Sequence, residues 1–288
     1  MTYIVITPVR DEADLIQKTI DSMAAQINRP VLWVIVDDGS TDGTGAVLDR
    51  AAAQFSWISV IHRQNRGFRK SGGGVIEAFY EGYARIGDKP WDFLVKLDGD
   101  LSFEPDYFAR CLSEFERDSK LGIGSGTVGK LVNGLPVPDS HGDPKFHVRG
   151  AAKTYRKACW ESIQGLARVP GWDTIDEVKA NMLGWKTRTF DGIWIIQHKE
   201  TGAGDGSWKN WVKNGLANYN TGYHPVFMAL KCVKRLWKKP YLVGAAGLWT
   251  WFLKGYLSKT SRENDLAMIC YVRDQQFRKL TFRRSLWD

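Results

Sequence analysis

The pattern of apolar segments along the chain predicts alternating strands and helices. Short and almost wholly apolar runs, each typical of a strand buried on both faces, occur at residues 3–8, 31–36, 59–61 and 93–95. Segments with apolar residues at helical spacing follow, among them residues 12–26 and 75–85. This alternation predicts β-α-β units and therefore a doubly wound, Rossmann-like α/β fold with a mixed, mostly parallel sheet.

The rest of the pattern is less regular. It predicts a helix at 103–117, a Gly- and Val-rich strand at 123–131, a polar loop at 133–144, a helix through Tyr155 and Trp160, and a last strand at 190–199. A further helix is expected to begin within the acidic residues 173–177. After residue 225 the chain becomes amphipathic and aromatic, with helical segments at 226–237, 241–257 and 266–284. We therefore divide it into a domain at 1–225 and a helical extension at 226–288.

The net charge of +8 lies almost wholly in this extension. Residues 231–288 hold 13 Lys and Arg against 4 Asp and Glu, whereas the first 230 residues hold 27 against 28. Residues 241–257 are apolar and aromatic but shorter than the about 20 residues of a spanning helix. Since Trp and Tyr beside Lys and Arg suit lipid headgroups, we expect the extension to associate with an anionic membrane interface. A buried core helix is the alternative, and nucleic acid is disfavoured because its binding surfaces lack such apolar runs.

The cysteines and the N-terminus favour a cytoplasmic location. Cys111, Cys159, Cys232 and Cys270 are widely spaced, without the close pairs of a zinc site, so we expect reduced thiols. The first residues run directly into a strand and lack the basic region and cleavage site of a signal peptide. With the basic extension, these features predict a cytoplasmic protein that is peripheral on the inner face of the cell membrane.

Candidate chemistry is concentrated after the fourth apolar run, at Asp98-Gly99-Asp100. Open α/β sheets bind ligands outside the carboxyl ends of their strands, and this sequence follows such an end. Two carboxylates this close repel each other unless a cation or a proton lies between them. Carboxylate oxygens suit hard divalent ions, which in turn bind substrate phosphates. A metal-assisted phosphate site is therefore one interpretation, and a turn with two solvated acids is the other.

A basic and Gly-rich segment at 63–74 precedes this strand. Its three consecutive glycines allow close backbone approach, and its cations can pair with phosphates. It is neither a Walker loop nor the Gly-x-Gly-x-x-Gly turn of dinucleotide-binding folds. A flexible basic loop is the alternative interpretation.

Three motifs together resemble one known family. Thr7-Pro8-Val9-Arg10-Asp11-Glu12, Asp37-Asp38-Gly39-Ser40-Thr41-Asp42 and Asp98-Gly99-Asp100 follow successive strands in the order seen in family 2 glycosyltransferases of the GT-A fold. The similarity extends over roughly residues 1–225. Asp98-Gly99-Asp100-Leu101-Ser102, with the Gly-rich segment before it, resembles in particular the branch that transfers mannose or glucose to polyprenyl phosphates.

The resemblance implies a set of site residues. The nucleotide part of a nucleotide-sugar donor would be bound by Thr7, Pro8, Arg10, Glu12, Asp38, Asp98 and Gly99. Asp100 would hold Mg²⁺ or Mn²⁺ on the donor diphosphate, and His198, after the last strand, would join the metal as a histidine does in some relatives. Many relatives carry Ala-Arg-Asn where this chain has Gly72-Gly73. Without that arginine, the phosphate contacts would be made by Arg69 or Lys70.

The resemblance also indicates a general base. Relatives usually show Gly-Glu-Asp before a helix that ends in Gly-aromatic-Lys, and Gly184-Trp185-Lys186 supplies the latter. This spacing puts Asp173 in the place of the catalytic Asp, with Trp172 in the place of the usual Glu and Asp176 as the alternative base. An acidic helix start favoured by the helix dipole is the structural alternative.

The resemblance therefore implies an inverting, metal-dependent glycosyltransferase that acts on a lipid-linked or polysaccharide-precursor acceptor. A cation stabilises the leaving nucleoside diphosphate, and a carboxylate accepts the proton of the acceptor hydroxyl. Residues 202–207 would form a loop that closes over the donor. Two other functions are compatible with these motifs: a nucleotidyltransferase that uses the same phosphate site, and a non-catalytic nucleotide-sugar-binding module.

Overall fold

The computed structural model describes residues 1–67, 73–140, 143–199, 206–237, 241–258 and 265–288. The strands are β1 (Tyr3–Val9), β2 (Leu32–Asp37), β3 (Ile58–His62), β4 (Phe93–Leu97), β5 (Leu101–Phe103), β6 (Leu121–Val132), β7 (Leu135–Pro138), β8 (Ala152–Arg156) and β9 (Lys186–Gln197). The helices are α1 (Ala13–Ala24), α2 (Thr44–Gln54), α3 (Gly74–Ala84), α4 (Tyr107–Arg117), α5 (Lys157–Ser162), α6 (Trp172–Met182), α7 (Gly206–Asn220), α8 (Pro225–Arg235), α9 (Val243–Leu257) and α10 (Leu266–Leu280).

The strands form one mixed sheet. Their order is β3-β2-β1-β4-β8-β6-β9-β5, with β7 paired to the outer part of β6. The first four strands are parallel, whereas β8 is antiparallel to both β4 and β6. The carboxyl ends of β1, β2 and β4 therefore meet at one edge, and the amino end of β8 lies at the same edge.

Helices cover both faces of the sheet, which explains why its central strands are apolar throughout. Alternate residues of β1 face opposite sides, so Tyr3 and Val5 enter one core and Ile4 and Ile6 enter the other. The first core includes α1, α2 and α4, and the second includes α3, α5 and α6. The doubly wound α/β arrangement predicted from the sequence is confirmed.

The prediction of a helix through Tyr155 was wrong. Residues 152–156 form β8, which lies between β4 and β6, and α5 begins only at Lys157. Every residue of this strand pairs with β4, so long-range pairing decides its conformation. Smaller differences occur nearby, because β5 precedes α4 where the helix was expected to start, and β7 lies within the expected polar loop.

The last four helices pack around a core of their own. It contains Met228 of α8, Leu248 and Phe252 of α9 and Met268 of α10, and it also includes residues of α6. One face of α9 is therefore buried in this core, as expected from the alternative interpretation of residues 241–257. α7 packs against α9, so it lies with these helices although it precedes residue 225. Within the described ranges, no helix combines the length and apolarity that crossing a membrane requires.

We predict that Gly255→Ala destabilises this helical part. A Cβ at Gly255 would overlap the ring of Tyr219 on α7, and Tyr219 is almost fully buried. Overpacking of this kind lowers the free energy of unfolding by about 1–3 kcal/mol. Leu257→Ala is the matched control, because the Leu257 side chain is 84% exposed and its removal should change little. Urea denaturation of both variants measures the difference, and equal stabilities would show that α7 and α9 do not pack in this way.

Candidate active site

Asp98-Gly99-Asp100 forms a turn between β4 and β5 that lies against the end of β1. A Cβ on Gly99 would lie 2.5 Å from Cγ1 of Val9 and 2.9 Å from Oε2 of Glu12, so only glycine allows this approach. The hydroxyl of Thr19 on α1 donates to the Gly99 carbonyl oxygen at 2.8 Å. The turn is thus held from both sides, with a carboxylate on each side of the glycine.

Asp100 is the more deeply buried of the two carboxylates, with 3% of the residue exposed. The amide of Gln197 donates to its Oδ2 at 3.1 Å, and its Oδ1 is buried without a hydrogen-bond partner among the described residues. Burial, and then the charge of Asp98, raise the pKa of Asp100 to about 6. A buried, unpartnered carboxylate oxygen of this kind is chemically suited to bind a cation or a proton.

The donor set around Asp100 fits a divalent cation that is shared with a substrate. Among the described residues, no group of three His, Cys, Asp or Glu side chains is arranged to hold a metal by itself. Mg²⁺ commonly binds to one or two carboxylates and completes its coordination with substrate phosphates and water. The backbone N–H of His198 donates to the Asp100 carbonyl oxygen at 2.9 Å, but its ring Nε2 lies 2.8 Å from Oγ of Ser102.

Asp98 is paired with a buried lysine that sequence reasoning missed. Lys96 lies within β4, and its Nζ contacts Oδ1 of Asp98 and donates to the carbonyl oxygen of Gly150 at 2.7 Å. Lys96 is only 2% exposed, so its charge requires these partners. Its position in an apolar strand, two residues before a carboxylate, was the available sequence signal. This lysine links the Asp98 turn to the segment before β8.

Asp173 lies close to Gly150, in the first turn of α6. A Cβ added to Gly150 would be 3.2 Å from Oδ2 of Asp173 and 3.2 Å from the Trp172 ring. Gly171, with φ +92°, precedes the helix and is packed against Ala217 of α7. Gly150 thus contacts Lys96 through its carbonyl oxygen and adjoins Asp173, which brings the predicted base near the Asp98 turn.

Asp176 lies on the same helix but is fully buried in a charge cluster. Its Oδ1 and Oδ2 accept from Nζ of Lys153 at 2.9 and 3.1 Å, and the Tyr155 hydroxyl donates to Oδ2 at 2.6 Å. Lys153 also donates to Oε1 of Glu177 at 2.7 Å. Burial raises the pKa of Asp176 to about 6, and the charge of Lys153 opposes this rise. The geometry makes Asp176 part of the support of α6 rather than a carboxylate open to an acceptor.

The predicted nucleotide-binding residues surround the ends of β1 and β2. Asp38 contacts Arg63 and Arg66, and Nη2 of Arg10 donates to Oδ1 of Asn65 at 3.0 Å. The remaining predicted residues, on β1 and directly after it, have other surroundings. Pro8 is buried within the strand, Oγ1 of Thr7 accepts from the Trp33 indole at 2.8 Å, and Oε1 of Glu12 lies 3.6 Å from Nζ of Lys199. Arg69 and Lys70 lie outside the described residues, as does most of the expected loop at 202–207.

The motifs and the fold agree with a comparison against family models. The model of glycosyl transferase family 2 matches residues 4–162, which is more than half of the chain. The chain belongs to glycosyl transferase family 2. The matched region contains β1 to β8 and both carboxylates of the Asp98 turn, and it ends before α6 and the predicted base.

Two curated relatives act on lipid carriers according to their names. The undecaprenyl-phosphate mannosyltransferase of Micrococcus luteus is 33% identical over 135 residues, covering 46% of this chain and 52% of the relative. The polyprenol monophosphomannose synthase of Mycolicibacterium smegmatis is 33% identical over 105 residues, covering 36% of this chain and 37% of the relative. The chain thus matches about half or less of the length of these relatives. Both names belong to the polyprenyl-phosphate branch that the motifs resemble.

Solved structures of similar fold include two nucleotide complexes. The mannosyltransferase PcManGT from Pyrobaculum calidifontis, in complex with GDP-Man and Mn²⁺, has a TM-score of 0.55 at 17% sequence identity. The match covers 96% of this chain and 75% of that one. S. aureus TarS 1-349 in complex with UDP has a TM-score of 0.54 at 16% identity, with 90% of this chain covering 72% of it. These similarities confirm the GT-A type of fold.

We predict that Lys153→Met lowers the free energy of unfolding by about 3–5 kcal/mol at pH 8, because two buried carboxylates lose their cation. The pKa of Asp176 already lies above its unfolded value, and it rises further without Lys153. The deficit should therefore shrink as the pH falls from 8 to 5, where Asp176 binds a proton in the folded state. His147, which contacts Glu177 and whose pKa that carboxylate raises against the effect of burial, gains its proton over the same range.

Urea denaturation at pH 8 and pH 5 measures this difference. Lys186→Met is the control, because Lys186 pairs with Asp118 at the surface and its side chain is 62% exposed. Its loss should cost at most about 1 kcal/mol. Equal destabilisation by the two substitutions would contradict the buried charge cluster.

Proposed function

We propose that this family 2 chain is an inverting glycosyltransferase that moves a sugar from a nucleotide-sugar donor to a lipid-linked acceptor. The observation that carries the proposal is the link from Asp98 through Lys96 to Gly150, which adjoins Asp173. A donor-side carboxylate and a candidate base thereby lie on the two sides of one backbone segment. Single-displacement transfer needs this arrangement, because the leaving group and the acceptor hydroxyl lie on opposite faces of the sugar.

The donor binds at the ends of β1, β2 and β4 in this proposal. Asp38 and Arg10 would contact the nucleoside, Asp98 would lie near its ribose, and Asp100 would hold Mg²⁺ or Mn²⁺. Support comes from Oδ1 of Asp100, which is buried without a hydrogen-bond partner among the described residues, and from the Mn²⁺ complex of the structurally similar mannosyltransferase. When bound, such a cation stabilises the charge on the departing diphosphate. Lys96 holds the Asp98 side chain in place through their ion pair.

Asp173 serves as the general base. It accepts the proton of the acceptor hydroxyl as the new glycosidic bond forms. Asp173 lies in the first turn of α6, where the helix dipole favours acidic side chains. Lys153 donates to its backbone carbonyl oxygen and fixes the helix start. Asp176 contributes indirectly, through Lys153, to the position of Asp173.

The names of the curated relatives support a polyprenyl-phosphate acceptor. The chain matches only about half or less of the length of these relatives, so the proposal transfers from them only the class of acceptor. A nucleotidyltransferase would share the phosphate site but would release pyrophosphate from nucleoside triphosphates. It would also leave the position of Asp173 beside Gly150 without a use.

We predict that Asp173→Asn stops transfer and leaves donor binding intact. Loss of a general base lowers turnover by about 10²–10⁴-fold, whereas Asp173 makes no contact with the nucleotide in this proposal. The measurement is release of nucleoside diphosphate from a nucleotide sugar in the presence of polyprenyl phosphate, combined with thermal shift for binding. Near-normal turnover of Asp173→Asn, with loss in Asp176→Asn, would move the base to Asp176.

Asp100→Ala provides the complementary comparison. It should abolish the part of nucleoside diphosphate binding that depends on Mn²⁺, because one hard oxygen ligand is removed. Unchanged Mn²⁺-dependent stabilisation by the nucleotide would refute the assignment of Asp100.

We also propose that α8 binds to the anionic lipid surface at the inner face of the cell membrane. Val226, Leu230 and Val233 are exposed and recur at helical spacing, and the 72% exposed Trp237 continues this stripe. Lys234 follows directly on the same helix, within the part of the chain that carries the excess positive charge. Exposed apolar side chains beside cations suit a headgroup region.

We predict that the double substitution Leu230→Ser and Val233→Ser reduces sedimentation with liposomes that contain anionic lipid. Both side chains are about half exposed, so their replacement removes membrane contacts without opening the core. Leu183→Ser, at an exposed leucine after α6, is the control and should bind as the unchanged protein does. Higher salt should weaken binding in every case. Equal sedimentation of the double variant and the control would refute a membrane role for α8.

A further inference from the structure

Asp38 is held between two arginines at the carboxyl end of β2. Nη1 of Arg63 contacts its Oδ1, and Nη2 of Arg66 donates to its Oδ2 at 2.6 Å. Its backbone N–H donates to the Val9 carbonyl oxygen at 2.9 Å, which fixes it beside the end of β1. Asp38 is 9% exposed, so this charge cluster is largely protected from water. The side chains present hydrogen-bond donors on both sides of one acceptor.

Each of the two arginines also forms an ion pair with a glutamate of α3. Nε of Arg63 lies 2.7 Å from Oε2 of Glu81, and Nη1 of Arg66 lies 2.8 Å from Oε2 of Glu77. Glu77 and Glu81 are one helical turn apart, so a single rigid helix sets both guanidinium groups. The donor–acceptor–donor order is therefore a built feature rather than a chance pairing of surface side chains.

One donor of this cluster lacks a hydrogen-bond partner in the part of the chain that the structure describes. Nε of Arg66 is buried and makes no hydrogen bond to the described residues. Buried donors without partners are rare in proteins, and a ligand is one way to satisfy them. Each carboxylate oxygen also has two lone-pair sites, so Asp38 can accept a further N–H while it keeps both arginines.

We infer that this cluster selects a nucleotide donor whose base is uracil or thymine. The pairing edge of these bases carries a carbonyl oxygen, an N–H and a second carbonyl oxygen, which complements the order arginine, carboxylate, arginine. The N3–H donates to Asp38, and the two flanking oxygens accept from Arg63 and Arg66. This inference rests on the proposed donor site and identifies the class of nucleotide that the site takes.

The other bases do not match this order. Guanine replaces one flanking oxygen by an amino group, which would face an arginine, and a two-point grip on Asp38 would displace an arginine from the carboxylate. Cytosine and adenine present a ring nitrogen lone pair to Asp38, and the two would repel each other. Sites that hydrogen-bond a base edge discriminate strongly because mismatched buried groups are left unpaired.

The test compares five nucleoside diphosphates with the full chain in the presence of Mn²⁺, by titration calorimetry and thermal shift. UDP and dTDP should bind roughly tenfold or more tightly than GDP, CDP and ADP, as expected for one mismatched pairing edge. UDP methylated at N3 should fall to the level of CDP, because the donated hydrogen is absent. A preference between UDP and dTDP reports on the 2′-hydroxyl or the C5 methyl group, away from the pairing edge, and leaves the base assignment supported.

Two variants connect the preference to this cluster. Arg66→Gln and Asp38→Asn should each reduce the ratio of UDP to GDP affinity several-fold. Arg188→Gln should leave the ratio unchanged, because Arg188 pairs with Glu114 on α4, away from this cluster. Tightest binding of GDP, or full binding of N3-methylated UDP, would overturn the base assignment while the proposed glycosyltransferase stands. Failure of every nucleoside diphosphate to bind would overturn the proposed function as well.

Discussion

Two buried lysines that face each other across β4 and β8 determine much of the site. Lys96 and Lys153 are directly paired in the antiparallel register, and both are at most 2% exposed. Like charges opposite each other in a sheet repel, and an uncompensated buried ammonium is very costly. Each lysine therefore needs its own anions. Lys96 has Asp98, and Lys153 has the two adjacent carboxylates of α6.

This requirement explains the relative position of the two halves of the site. The carboxylates that neutralise Lys153 anchor α6 to the sheet, and Asp173 lies one turn before them. The carboxylate that neutralises Lys96 belongs to the turn after β4. Since the lysines are neighbours, their counter-charges fix a donor-side turn and a helix start close to one another. Electrostatic neutralisation inside the sheet thus supports the geometry that the proposed chemistry uses.

Sequence reasoning recovered the parts of the molecule that local patterns determine. The apolar runs predicted β1, β2 and β4, and in the structure the carboxyl ends of these strands meet at one edge of the sheet. β8 was missed because its five residues include Lys153 and Thr154, and only pairing with β4 and β6 makes them a strand. For the same reason, the sequence did not identify Lys96, within its apolar run, as a residue of the site. A buried charge becomes intelligible only when partners distant in sequence are known.

Trp172 is the clearest case in which the sequence posed a question that packing answers. Family members usually carry a Glu at this position, and a third carboxylate here would lie beside both lysines. The indole instead lies 5.3 Å from Nζ of Lys96 and 5.7 Å from Nζ of Lys153, measured to the ring centroid. Cation–π attraction can stabilise ammonium groups without adding a negative charge. The proposed base Asp173 is therefore the only carboxylate at positions 172 and 173, and the aromatic ring beside it packs against both lysines.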